Sequence, residues 1–249
     1  MERKIILWYI DMTADELKCE FCRNVFDLPE IRNRTGIFRD RTDAGFKLSK
    51  MLVEFRDSDV LVCGIPAGGV PVAAPLAQEL NLDLDVVVVS KLTLPWNTEV
   101  GYGAVAFDGT LKINPVLKSQ MGLNSGEIEK DVALTTKKVQ RRFKDFRGDK
   151  TFPNLENRTV ILVDDGIASG FTMMVAIESV KNKEAKDVMV AVPTAPLQAL
   201  EKISSEVDRI YCANIRGGPA FAVADAYQTW YDVEEEDVIT ILKDFNLKD

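Results

Sequence analysis

The strongest constraint in this sequence is a set of short, mainly apolar runs that alternate with segments of helical patterning. They are VLVCGI (60–65), LDVVVV (84–89), VILV (160–163), VMVAV (188–192) and RIYCA (209–213). A strand with one wet face alternates apolar and polar residues, whereas an unbroken run belongs to a strand covered on both faces. Helices are predicted between these runs at 71–80, 124–147, 171–182 and 196–204. Strands alternating with helices give an α/β fold, a parallel sheet of about five strands flanked by helices. Ligands of such sheets bind beyond the carboxyl ends of the strands. Function is therefore sought in the residues that follow each strand.

The remaining chain is read more coarsely. Residues 4–10 (KIILWYI) read as a strand, 13–26 as a helix and 27–37 as an irregular connection. A helix is expected from Arg41 to about Phe55, capped by Asp40 or Thr42. A β-hairpin is expected over 100–114, turning at Asp108-Gly109. Asn124 and Glu127 are spaced as a capping box for the long helix. That helix carries the basic run KKVQRRFKDFR (137–147). Val139, Phe143 and Phe146 recur there at helical spacing, so the charges read as its wet faces.

Composition excludes several chemistries. The 249 residues contain no histidine, which removes Ser-His-Asp and Cys-His catalysis and imidazole metal ligands. A net charge of −8 is a poor match to nucleic-acid phosphates, so no nucleic-acid partner is expected. No 20-residue apolar span or signal peptide is recognisable, and the expectation is a cytoplasmic protein with no membrane partner. Cys63 and Cys212 lie in apolar strands and read as buried thiols. Cys19 and Cys22 form a single C-x-x-C, which reads as packing because no second pair or histidine completes a zinc set.

The most informative stretch is VILVDDGIASGFTM (160–173). Asp164 and Asp165 stand at the end of a buried strand, where adjacent carboxylates repel each other unless something uses them. A helix start follows, whose free N–H groups and dipole favour an anion, with Gly170 permitting close approach. Ser169 and Thr172 add hydroxyl donors. The corner offers acceptors for hydroxyls or Mg²⁺ and, a few residues on, a nest for phosphate. A phosphorylated sugar meets both halves.

VILVDDGIASGFT resembles the phosphoribosyl pyrophosphate (PRPP) signature of the type I phosphoribosyltransferases. The resemblance implies their Rossmann-like fold with a hood subdomain, and transfer of a 5-phosphoribosyl group from PRPP to a nitrogen nucleophile. It places Asp164 and Asp165 on the ribose hydroxyls, and on Mg²⁺ through those hydroxyls or water. Ala168, Ser169, Gly170, Phe171 and Thr172 fall on the 5′-phosphate; Phe171 is bulkier than the usual residue. CGIPAGGVPVA (63–73) resembles the family's pyrophosphate loop, putting Ala67, Gly68 and Gly69 on pyrophosphate and a cis peptide at Pro66–Ala67. The family often has a basic residue where Ala67 stands. Lys91, at the next strand end, falls in catalytic reach of pyrophosphate oxygens, and residues 92–103 take the place of the family's flexible catalytic loop.

FRDRTDAG (38–45) resembles a subgroup that shares K-L-x-x-P and D-D-G-I-A-[ST]-G, over roughly residues 38–243. It makes Arg39 and Arg41 candidate pyrophosphate contacts, with surface or dimer roles as the alternative. GGPAFAVADAYQTWYD (217–232) resembles the hood, with Phe221 at the base-stacking position or simply in the core. Ala168 stands where 6-oxopurine enzymes carry an acid, which argues against hypoxanthine and guanine. The implied organisation is an N-terminal extension (1–37) and a phosphoribosyltransferase domain (38–249). The hood spans about 214–235 with part of the N-terminal segment. A homodimer is implied. Two alternatives stay open on the same fold: a non-catalytic PRPP or nucleotide sensor, and a hydrolase or phosphorylase.

Overall fold

The computed structural model describes residues 23–94, 97–120, 122–218 and 220–246. Six of its strands form one sheet: β1 (Val25–Phe26), β2 (Leu61–Gly64), β3 (Asp83–Val86), β7 (Thr159–Val163), β8 (Asp187–Pro196) and β9 (Arg209–Arg216). They lie in the order β1-β9-β8-β7-β2-β3, every neighbouring pair parallel. The unbroken apolar runs divide between the two faces. Val62, Ile161, Val163, Met189 and Ala191 pack under α1 (Arg41–Met51) and α2 (Val70–Leu80). Cys63, Val160, Leu162, Val190 and Cys212 pack on the other side against α5 (Phe171–Lys181) and α6 (Leu197–Ser204). Alternate residues thus face opposite cores, and both must be apolar. Burial pushes the Cys63 and Cys212 thiols up, away from reactivity.

A second sheet of three antiparallel strands, β4 (Val89–Leu94), β5 (Asn97–Ala106) and β6 (Leu111–Ile113), stands beside the first. It is followed by α3 (Pro115–Gln120) and α4 (Ser125–Arg147), and the described chain ends in α7 (Glu235–Asn246). No helix among the described residues is long and apolar enough to cross a membrane.

The α/β expectation holds, with local corrections. The run expected as one strand at 84–89 is divided. Asp83–Val86 belongs to the parallel sheet, and Val89 opens the antiparallel one. The expected helix over 13–26 lies mostly outside the described residues, but its last part is β1, paired with Ile210 and Tyr211. Among the described residues the sheet therefore has six strands, because residues before 38 supply one. The strand at 4–10, Cys19 and Cys22 lie outside the described residues. Residues 92–94 and 97–103 are strand, paired across the β4–β5 hairpin. The hairpin at Asp108-Gly109 forms, with Gly109 at φ +92°.

Asp40 caps α1 by accepting from Asp43 N at 2.8 Å. Asn124 and Glu127 form a reciprocal capping box on α4. The basic run on α4 departs from a purely wet face. Arg142 is buried against Glu235 at 2.9 Å, and Arg147 pairs with Asp85 at 2.7 Å. These pairs fasten α4 to α7 and to β3.

Candidate functional site

Three strand ends meet at one cavity of about 340 Å³. The turn after β2 gives Ile65, Pro66 and Ala67, and the start of the hairpin gives Val89 and Lys91. The stretch after β7 gives Asp164 through Gly170, with Thr172 and Met173. Val223 and Trp230, from the segment after β9, close the remaining wall.

The turn after β7 is built around its two carboxylates. Asp164 Oδ1 accepts from Asp165 N at 2.9 Å, which folds the turn back on itself. Burial and the neighbouring Asp165 charge push the Asp164 carboxyl well above its ordinary range. Burial also raises Asp165, opposed by the Arg41 guanidinium. Lys91 acts in the opposite direction on Asp164. Gly170 then takes φ +80° at the N-cap of α5, and Ser169 Oγ accepts from Phe171 N at 3.4 Å. The following first-turn N–H groups have no partner within the helix, which makes this end of the cavity receptive to an anion. Lys202, on α6, donates to Ser169 O at 3.4 Å and brings a cation to the edge of the same turn.

The turn after β2 contributes through what it lacks. The Pro66–Ala67 peptide is cis. A side chain at Gly68 would place its Cβ 2.6 Å from Asp165 Cγ, and closer still to Oδ2. At Gly69 it would come within 2.7 Å of Ile65 O. Both glycines are thus required by close approach, Gly68 to the carboxylate itself.

Arg41, the first residue of α1, is only 4% exposed. Its Nε and Nη2 donate to Asp165 Oδ2 at 2.9 and 2.8 Å, and its Nη1 donates to Tyr231 O at 2.8 Å. The guanidinium lies 3.9 Å from the centre of the Trp230 ring. Tyr227 OH donates to Asp165 O at 2.6 Å.

Of the residues singled out in the sequence, Asp164, Asp165, Ala67, Lys91, Ala168, Ser169, Gly170 and Thr172 line the one cavity. Gly68 and Gly69 lie in the adjoining turn. Arg39 and Phe221 are placed elsewhere. The Arg39 side chain is 72% exposed beside Asp43. Phe221 lies against the Arg216 guanidinium, 5.7 Å from ring centre to carbon. Phe171 packs against the core under α5. Sequence reasoning missed Trp230, Val223 and Lys202. Trp230 and Val223 lie within the stretch compared with the hood, but nothing in their spacing marks them as cavity-facing. Gly101 leaves room for the stem of Lys91, whose Cδ would lie 3.3 Å from a Cβ there.

The phosphoribosyl transferase domain family matches residues 41–225. A Mycobacterium tuberculosis protein, provisionally named a phosphoribosyl transferase in strains CDC 1551 and H37Rv, is 32% identical over 208 residues. The match covers 83% of this chain and 46% of the relative, so the chain spans about half the length of the curated relatives it matches. Among solved structures, TT1426 from Thermus thermophilus is similar at 32% identity and a TM-score of 0.67. That likeness covers 84% of this chain and 98% of the other.

Proposed function

Because the chain belongs to the phosphoribosyl transferase domain family, we propose that it transfers the 5-phosphoribosyl group of PRPP to a nitrogen nucleophile, releasing pyrophosphate. The observation that carries this reading is the joining of two unlike halves in one cavity. Adjacent carboxylates suit a sugar diol, and a glycine-led helix start suits a phosphate. In the reaction the C1–O bond to pyrophosphate breaks, a C1–N bond forms, and positive charge builds on the sugar between these events. Asp164 and Asp165 accept from the ribose hydroxyls and place carboxylate charge beside the developing cation. Ser169, Gly170 and Thr172 hold the 5′-phosphate and fix the sugar for in-line attack. Lys91 lies on the leaving-group side and meets the charge that develops there. Val89, Val223 and Trp230 exclude water, which would otherwise compete with the acceptor.

The donor set fits magnesium. Two carboxylates supply hard oxygen ligands, and no cluster of three or more acidic, Cys or His side chains able to hold a metal occurs among the described residues. Such an ion takes the rest of its coordination from substrate phosphates and water. When bound it would neutralise phosphate oxygens of the leaving group. On this reading the protein is a cytoplasmic homodimer, and light scattering checks the dimer.

The test is thermal unfolding with and without PRPP and Mg²⁺, with Asp164→Asn as control. At a ligand concentration 100 times Kd, binding adds about 2.7 kcal/mol, or about 5–10 °C in Tm for a chain of this size. A shift absent from the variant supports the reading, and no shift at millimolar PRPP removes it. One observation favours a second reading, a PRPP or nucleotide sensor. Among the described residues that line the cavity, Lys91 is the one cation, and Ala67 stands where a basic residue would meet pyrophosphate. Release of pyrophosphate with any acceptor separates the two.

A further inference from the structure

Arg41 is the most heavily committed side chain near the cavity, and the reaction scheme above gives it no task. Its commitments join three parts of the chain. Two nitrogens hold Asp165 Oδ2, a third holds Tyr231 O, and its face covers Trp230. The segment that carries Trp230 is itself fastened beside Arg41. Gln228 N donates to Phe38 O and Thr229 N to Arg39 O, both at 2.8 Å. Tyr227 from the same segment holds the Asp165 carbonyl. On its remaining side the Asp165 carboxylate abuts Gly68. The carboxylate is thus confined by a cation, by a glycine with no side chain, and through its backbone by a tyrosine.

We propose that Arg41 is the positioning residue of the sugar site. It holds Asp165 by one oxygen, so that the carboxylate presents a single fixed orientation to a vicinal diol, and it locks the wall carrying Trp230 to that carboxylate. This rests on the sugar-phosphate reading above and replaces the expectation that Arg41 contacts pyrophosphate. Without its cation the Asp165 carboxylate loses both donors that fix its Oδ2 and is free to rotate. The diol would then have to restore an arrangement that Arg41 now maintains in advance. Arg41 acts through Asp165 and touches no phosphate, so its loss should be felt by ligands with a diol and not by those without one.

The experiment compares ribose 5-phosphate with inorganic phosphate, measured by calorimetry on wild type, Arg41→Met, Asp165→Asn and the double variant. Arg41→Met should weaken ribose 5-phosphate by about tenfold or more and leave inorganic phosphate within about twofold, the loss expected when a preorganised contact must be rebuilt on binding. The double variant should bind ribose 5-phosphate no more weakly than Asp165→Asn alone. Arg41→Lys, which keeps the charge but cannot span Asp165, Trp230 and Tyr231 together, should fall between wild type and Arg41→Met. It carries the same comparison if the methionine variant fails to fold. Equal weakening of both ligands would make Arg41 a phosphate contact and overturn the proposal. So would losses that multiply in the double variant, or wild-type affinity in Arg41→Met. Wild-type protein that binds neither ligand removes the sugar-phosphate reading, and this inference falls with its premise.

Discussion

Replacing Gly68 by alanine adds one methyl group where the structure has no room for it. The new Cβ would lie 2.6 Å from Asp165 Cγ, inside the 3.0 Å that real Cβ atoms essentially never breach. Gly68 is not among the glycines with positive φ, so the backbone itself would accept alanine. The three nearest atoms all belong to the Asp165 carboxylate, and the carboxylate must swing aside. That breaks its pair with Arg41, which has 4% exposure against 15% for Asp165. Separating a buried pair costs about 3–5 kcal/mol. Asp165 borders the cavity, where water can reach it, so the expected loss is nearer to about 2–4 kcal/mol. In thermal unfolding this corresponds to a fall of about 4–16 °C. Binding of ribose 5-phosphate should be lost in the same variant. Gly126→Ala serves as the contrast: it lies on α4 with only ordinary contacts and should stabilise by about 0.5 kcal/mol. If Gly68→Ala melts with wild type and still binds the sugar phosphate, the carboxylate is not pressed against Gly68 and the argument for the site's geometry fails.

The raised Asp164 carboxyl has a pH signature. Its proton is held more tightly in the folded chain than in the unfolded one, so this group favours folding most at acidic pH. The contribution is lost as pH rises from the ordinary carboxylate range through the raised value. Unfolding midpoints measured in chelator should therefore show a downward slope with pH that Asp164→Asn flattens, and the variant should be the more stable at neutral pH. Outside the cavity lining, Asn124→Ala removes one half of the α4 capping box and should cost about 1 kcal/mol in urea denaturation, with ligand affinity unchanged.

The parallel sheet was readable because its strands are buried on both faces, which leaves unbroken apolar runs. The same property hid where strands end. In LDVVVV nothing marks Val86 as the last residue of one sheet and Val89 as the first of another. The strand expected over 188–192 ends just before Pro193, a residue with no N–H for a ladder. The ladder instead skips it, pairing Val192 with Cys212 and Thr194 with Asn214. At the site, Asp164, Asp165 and the glycine-led turn were legible because they form one contiguous string. Arg41 was visible as a candidate pyrophosphate contact, but its pairing with Asp165 was not. Its partner stands 124 residues away, and no local pattern reports a pairing across that distance. Phe221 and Trp230 lie in an irregular segment without periodicity, so sequence could name the aromatics but not which of them faces the cavity.

The order of strands in the large sheet also bears on how the molecule is made. β1 is the earliest described strand in the chain, yet its partner is β9, at the last turn of the sheet. On the ribosome, residues 25–26 emerge early and have no sheet to join until residues 210–211 follow them. The site shares this dependence, since Arg41 waits for Asp165 and then for Tyr231. A nascent chain stalled before β9 would hold an open sheet edge and an uncovered cavity at once. Cellular quality control would therefore meet an incomplete copy of this protein as one sticky, inactive species, with no partly working form in between.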